Sequence, residues 1–211
     1  MSLRLDALEI VGPGGALFPP LSLEVARGTV VTVMGPSGVG KSTLLDAIGG
    51  HLAHGFRARG RVMLNGRDVT GIAPERRRIG LMFQDALLFP HLSVGDNLAF
   101  GLPPSVRGRA ARAARVDRAL EDAGLSGFGD RDPASLSGGQ RARAALMRTL
   151  LAAPDALLLD EPFSKLDAGL RDELRSFTRS HVETARIPAL LVTHDPDDAA
   201  AMGGGVVQLG A

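Results

Sequence analysis

The chain has 211 residues, 45% hydrophobic and 22% charged, with a formal net charge of +1 and no cysteine. That is ample apolar material for one compact domain, and too little net charge to hold nucleic acid non-specifically. The lack of cysteine excludes disulfides, thiolate catalysis and Cys-ligated zinc, and no apolar run approaches the ~20 residues that span a bilayer.

Residues 3–11 and 21–25 read as short strands, separated by the Gly12, Pro13, Gly14, Gly15 and Pro19, Pro20 turns. The N-terminus alternates like a strand and has no signal-peptide block, so a cytosolic chain is expected, reaching a membrane only through a partner. Residues 29–34 form a continuous β-branched apolar run, the mark of a strand buried on both faces. A glycine-rich loop follows at once, then a helix over 41–48 with Leu44, Leu45 and Ile48 on one side. Residues 60–66 read as a strand ending in an Asn-Gly turn, and 79–83 as another apolar strand. The basic run Arg76, Arg77, Arg78 reads as a solvated face. From about 85 to 154 the sequence turns helical in period, including a helix over 109–123. Apolar strands return at 156–159 and 189–192, flanking an amphipathic helix marked by Leu170, Leu174 and Phe177. Buried strands alternating with helices predict an α/β fold with a mainly parallel sheet. The helical stretch 85–154 interrupts that alternation and is expected to be an inserted subdomain within one domain, the remainder (1–84 and 155–211) forming the core.

Gly35, Pro36, Ser37, Gly38, Val39, Gly40, Lys41 and Ser42 match G-x-x-x-x-G-K-[ST] between a predicted strand and a predicted helix. Glycines let successive backbone N–H groups converge on one concavity, and the helix N-terminus adds partial positive charge. Lys41 can reach the β- and γ-phosphates and Ser42 can ligate Mg²⁺. Lysine occurs only at Lys41 and Lys165 in a chain that otherwise uses arginine, which points to a need for a compact ammonium at position 41. The strand at 156–159 ends in Asp160 and Glu161, placed where open α/β sheets bind ligands. Asp160 suits Mg²⁺, and Glu161 suits polarising the water that attacks a γ-phosphate.

Leu136, Ser137, Gly138, Gly139 and Gln140 precede a helix expected near Arg141. They resemble a second anion cradle, with a hydroxyl, exposed backbone N–H groups and a helix N-terminus behind. One nucleotide has little use for two cradles in one chain, but a dimer in which each chain lends its cradle to the other resolves this.

Along essentially its whole length the chain resembles the ABC transporter ATPases, a P-loop NTPase type with an N-terminal antiparallel β subdomain and an inserted α-helical subdomain. The family's phosphate loop falls on residues 35–42 with Thr43 following, its signature on 136–140, and its two carboxylates on Asp160 and Glu161. The Q-loop glutamine falls on Gln84, the D-loop on Ser164, Lys165, Leu166 and Asp167, and the switch histidine on His194. The resemblance implies that Gln84 touches Mg²⁺ or the attacking water and links the site to a permease. It implies that His194 hydrogen-bonds the γ-phosphate, that Ser137, Gly138, Gly139 and Gln140 meet the ATP of the opposite subunit, and that Asp167 couples the two sites. The implied cofactors are ATP and Mg²⁺. The implied partners are a second copy in the ATP-bound state, an integral membrane permease and, indirectly, a solute-binding protein, at the cytoplasmic face of a bacterial inner membrane.

Residues 83–102 and 157–167 resemble importers of the thiamine, iron, molybdate and sulfate kind, nearest a small, poorly characterised branch beside the thiamine importers. A chain ending at Ala211 is expected to lack the regulatory C-terminal domain of the sugar and molybdate types. The alternative is the ATPase of a lipoprotein-release or other mechanical membrane complex, which shares every motif. Where relatives stack adenine on an aromatic, the matching position falls near Gly12. Phe18 is the aromatic nearby and reads as a core residue. Lys165, where many relatives carry a small residue, is either a dimer contact or solvated. His51 and His54 read as exposed rather than metal-binding, and Phe89, His91 and Leu92 either contact a permease or pack internally.

Overall fold

The computed structural model describes residues 2–210. β1 (Ser2–Gly12) turns into β2 (Gly15–Ala16), and β3 (Leu21–Ala26) returns antiparallel along β1. In β1 the buried residues are Leu3 and Leu5, then Leu8 and Ile10. The alternation changes phase because Ala7 is an extra residue, at φ 47°, with its N–H donated to the Ser22 hydroxyl at 2.8 Å. A bulge of this kind swaps the faces of every residue beyond it.

β4 (Val30–Met34) feeds the glycine loop and α1 (Lys41–Gly49). β5 (Arg57–Leu64) and β6 (Arg67–Asp68) form the expected hairpin, its Asn65 and Gly66 both at positive φ, 54° and 78°, as a two-residue I′ turn requires. After α2 (Pro74–Arg77) comes β7 (Ile79–Met82). Helices α3 (Val94–Gly101), α4 (Arg109–Asp122) and α5 (Gly138–Leu151) follow, with a 3₁₀ turn at Pro133–Ser135 before α5. β8 (Ala156–Asp160), α6 (Ala168–Ala185), β9 (Ala189–Thr193), α7 (Pro196–Met202) and β10 (Val206–Gln208) complete the order.

Two sheets result. β1 lies between β3 and β5 in the antiparallel one, and the parallel one has the order β10-β4-β9-β8-β7. β7 and β8 pair directly, Ile79 opposite Ala156, so α3, α4 and α5 are inserted between two neighbouring strands. α1 sits between the two sheets. Its Leu44, Leu45 and Ile48 share one core with Leu3, Leu5 and Val62 of the antiparallel sheet and Val33, Leu158 and Leu190 of the parallel one. A nine-residue helix is not stable alone. Burying those three side chains, at roughly 1.5–3 kcal/mol each, fixes it, and with it the end of the phosphate loop. The opposite face of the parallel sheet packs on α5 and α6 through Leu157, Leu159, Leu191, Leu146 and Leu174. A third core, with Leu98, Leu120 and Leu125, belongs to the inserted helices.

The solvated face expected for Arg76, Arg77 and Arg78 is corrected at Arg77, which is 7% exposed. Its guanidinium donates to the carbonyls of Ala47, Ile48, Thr70 and Ile72 at 2.6 to 3.0 Å. Two of these are orphan carbonyls at the end of α1, and a planar cation with five donors suits them. Arg78 pairs with Asp155 at 2.7 Å. Phe18 lies in the core as expected, and the aromatic ring against Gly12 is Phe56. No described helix is long and apolar enough to cross a membrane.

Candidate active site

The carboxyl ends of β4, β8 and β9 converge, and each delivers part of the predicted site, as open parallel sheets do. Beyond β4 the loop turns through Gly38 (φ 82°) and Gly40 (φ 102°), conformations that L side chains resist. Gly40 is also the N-cap of α1, and a Cβ there would stand 3.0 Å from Leu17. Ser37, Gly38, Gly40, Lys41, Ser42, Thr43 and Glu161 line one pocket, with Gly35, Pro36 and Val39 completing the loop. Lys41 is 6% exposed. Its ammonium bridges the loop, donating to the carbonyls of Gly35 at 2.9 Å and Pro36 at 3.1 Å. An ammonium held at the mouth of a curled loop fits a polyphosphate.

Asp160 ends β8 and accepts a hydrogen bond from the Ser42 hydroxyl at 3.0 Å. A hydroxyl and a carboxylate this close are suitable hard-oxygen ligands for Mg²⁺. Among the described residues no cluster of three His, Cys, Asp or Glu side chains could hold a metal. A metal here therefore needs oxygens from the nucleotide, the ordinary arrangement for Mg²⁺ at phosphates. Burial pushes the Asp160 carboxyl above its ordinary pKa; the Ser42 hydrogen bond opposes the rise and the charge of Glu161 adds to it. An aspartate with a raised folded pKa binds its proton more tightly when folded, so its ionised form weakens the fold above that pKa, and the penalty disappears as the pH falls through it. Asp160→Asn should thus melt a few degrees higher than wild type near neutral pH without nucleotide, the gain shrinking on acidification. Calorimetric scans across pH check this.

Glu161 adopts φ 43°, left-handed and strained for a non-glycine residue. Its backbone N–H donates to the Val192 carbonyl at 3.0 Å. The side chain is directed into the pocket, with one oxygen 3.7 Å from the Lys41 ammonium and the other 3.1 Å from Nδ1 of His194, which follows β9. A cation, a carboxylate and an imidazole thus meet beside the phosphate loop.

Gln84 stands beyond the end of β7 and takes a different contact. It donates to the Ser164 hydroxyl at 3.1 Å, and Ser164 donates to the Glu161 carbonyl at 2.9 Å. Its neighbour Asp85 forms an ion pair with Lys165. Lys165 is thus paired within its own chain while its side chain stays half exposed. Sequence reading missed both bridges, since they join residues 80 positions apart.

Ser137 is the N-cap of α5, which begins at Gly138 rather than near Arg141. The Ser137 hydroxyl accepts from the Gln140 N–H at 3.3 Å, and Gln140 accepts from the Ser137 N–H at 2.9 Å. The pair is a capping box, and Ser-x-x-Gln was the legible signal for it. A Cβ on Gly138 or Gly139 would lie 3.2 Å from Leu166 or Leu170, so these glycines also allow α5 to approach the segment around α6. None of these residues lines the phosphate pocket of their own chain; Gly138 instead lines a neighbouring cleft with Gln84, Lys165 and Leu166.

Asn97, which the sequence did not flag, is fully buried and clamps the loop before α3. It accepts from the Phe89 N–H at 2.7 Å and donates to the carbonyls of Phe89, Leu92 and Ser93. Phe89 packs edge-on against Phe100, ring centroids 4.8 Å apart, while Phe83, Leu87 and Phe100 are exposed. His51 and His54 are exposed, as expected.

A family model described as ABC transporter matches residues 18–164. The uncharacterized ABC transporter ATP-binding protein YnjD of Escherichia coli is 50% identical over 94% of this chain and 88% of its own length. The thiamine import ATP-binding protein ThiQ of Cereibacter sphaeroides is 47% identical over 82% of the chain and 73% of its own. For the sulfate/thiosulfate import ATP-binding protein CysA of Mycobacterium bovis the figures are 48%, 83% and 49%, so the chain spans about half of that relative. The solved structure of cbiO1 from Clostridium perfringens, described as part of the ABC transporter complex cbiONQ, superposes with a TM-score of 0.86 at 28% identity, over 98% of this chain and 84% of that one. The chain belongs to the ABC transporter family, as an ATP-binding ATPase subunit.

Proposed function

We propose that the chain hydrolyses ATP in a two-chain assembly and energises solute import through a separate membrane permease. The single observation that carries the two-chain reading is the distance in role between its two cradles. The Lys41 loop and Glu161 share a pocket, while the Ser137 cap at the start of α5 stands outside it. Two copies facing each other give each ATP one cradle from either chain.

In this reading the loop from Gly35 to Thr43 receives the phosphates and Lys41 turns its ammonium to the β- and γ-oxygens. Ser42 and Asp160, with Gln84 brought across from Ser164, would hold Mg²⁺. When bound, the metal supplies positive charge that offsets the phosphate oxygens. Glu161 orients a water and takes its proton as the water oxygen bonds the γ-phosphorus and the bond to the β-bridging oxygen breaks, leaving ADP and phosphate. His194 steadies that carboxylate through Nδ1 and turns its other edge toward the γ-phosphate. Ser137 and the first N–H groups of α5 complete the partner's site. Asp167, the N-cap of α6 beside Leu166, carries the state of one site to the other.

Importer names among the relatives support the direction of transport. The exposed Phe83, Leu87 and Phe100, beside the Asn97-clamped loop that presents Phe89 and His91, suit docking of a permease helix. That would place the subunit at the cytoplasmic face of a bacterial inner membrane, with a solute-binding protein reached only through the permease. Purification from membranes should recover the chain with an integral permease, and Leu87→Glu with Phe100→Glu should lose it while phosphate release by the isolated chain persists. Retention of the permease by that variant would move the docking surface elsewhere.

A further inference from the structure

His194 is an exposed member of the site. Its side chain is 54% exposed and its contact there is Glu161 at 3.1 Å, so its placement depends on the backbone that carries it. That backbone is fixed on both sides from α6. Arg175, 7% exposed, donates from Nε to Asp198 at 2.8 Å, and Asp198 is 2% exposed. The other oxygen of Asp198 accepts from the Thr193 hydroxyl at 2.8 Å, and the same hydroxyl accepts from the Asp195 N–H at 3.1 Å. One turn earlier on α6, Arg171 donates to the Asp195 carboxylate at 2.8 Å and to the Leu166 carbonyl at 3.2 Å. The residues before and after His194 are thus tied to one buried ion pair, and through Arg171 to the segment preceding α6.

We infer that Arg175 and Asp198 are positioning residues for His194, holding Thr193 and Asp195 so that the imidazole meets Glu161 and the γ-phosphate. Stability is a weak reason to keep such a pair, because apolar replacements of buried ion pairs are often neutral or stabilising. Geometry is the stronger one. An exposed side chain makes a repeatable contact only if its backbone does not drift, and small displacements of a reacting group cost rate. The inference rests on the role of His194 in the preceding section.

The test separates the two. The variant Arg175→Met/Asp198→Leu removes the clamp and keeps an apolar core. Full-length chain should melt within a few degrees of wild type, with KM for MgATP within about twofold and kcat at least tenfold lower. His194→Ala alone should lower kcat. Added to the Met/Leu pair, it should lower kcat by less than about threefold more, since both changes act through one imidazole. Thr193→Val, nearly isosteric, serves if the double variant misfolds, and should lower kcat several-fold with KM unchanged. If His194→Ala leaves turnover intact, the histidine's role fails. If it lowers turnover while the clamp variants keep wild-type kcat, or if the losses simply multiply, the positioning role fails and the histidine's role stands.

Discussion

Glu161→Gln should abolish measurable turnover and leave ATP bound. Glutamine keeps the shape but cannot take a proton from water, and loss of a positioned general base lowers rate by about 10²–10⁴-fold. Binding should not suffer. Glu161 places a negative charge in the pocket that receives the phosphates, 3.7 Å from the ammonium that must pair with them. Its neutralisation removes repulsion and frees Lys41. ATP affinity should therefore equal or exceed wild type, and the ATP-closed form should accumulate because the reaction that reopens it has stopped. Phosphate release read beside retention of labelled ATP checks both halves. A variant that still turns over would place the base on another residue.

Lys41→Ala should weaken MgATP binding by about 100-fold, and Lys41→Arg should recover little of it. Truncating one member of a buried charge pair costs 2–5 kcal/mol, and ~3 kcal/mol corresponds to about two decades. The arginine variant is the sharper probe. The Gly35 and Pro36 carbonyls bracket the ammonium at 2.9 and 3.1 Å, and a planar guanidinium is too long and too wide for that bridge. Everywhere else except Lys165 this chain uses arginine for positive charge. Titration calorimetry on both variants checks the expectation; normal binding by the arginine variant would show that charge alone suffices.

The phosphate loop, Asp160 and Glu161 were legible because their signal is local. Each follows an apolar strand whose burial fixes where its polar end emerges, and five parallel strands carry these ends to one side. The bulge at Ala7 was written in the sequence as well, as a change of phase between Leu5 and Leu8. α7 and β10 escaped because they are short and separated by Gly203, Gly204 and Gly205. Side-chain pairing over long separation escaped for a different reason. In an arginine-rich chain nothing local distinguishes buried Arg77 and Arg175 from the exposed Arg76 and Arg179; only the fold decides which guanidinium meets orphan carbonyls or Asp198. Asn97 looked like an ordinary helix residue, and its hydrogen bonds to Phe89 and Leu92 exist only because the preceding loop folds back onto α3.

The proposed mechanism is built on the Lys41 loop and the Ser137 cap standing apart on one chain. Sedimentation of the Glu161→Gln protein with ATP and Mg²⁺, with and without Ser137→Arg, tests it most directly. The account predicts a two-chain species with ATP that reverts to single chains when arginine blocks the α5 cradle, each still carrying nucleotide on its own Lys41 loop. A single chain with ATP bound under all conditions, or a dimer indifferent to Ser137→Arg, would contradict it.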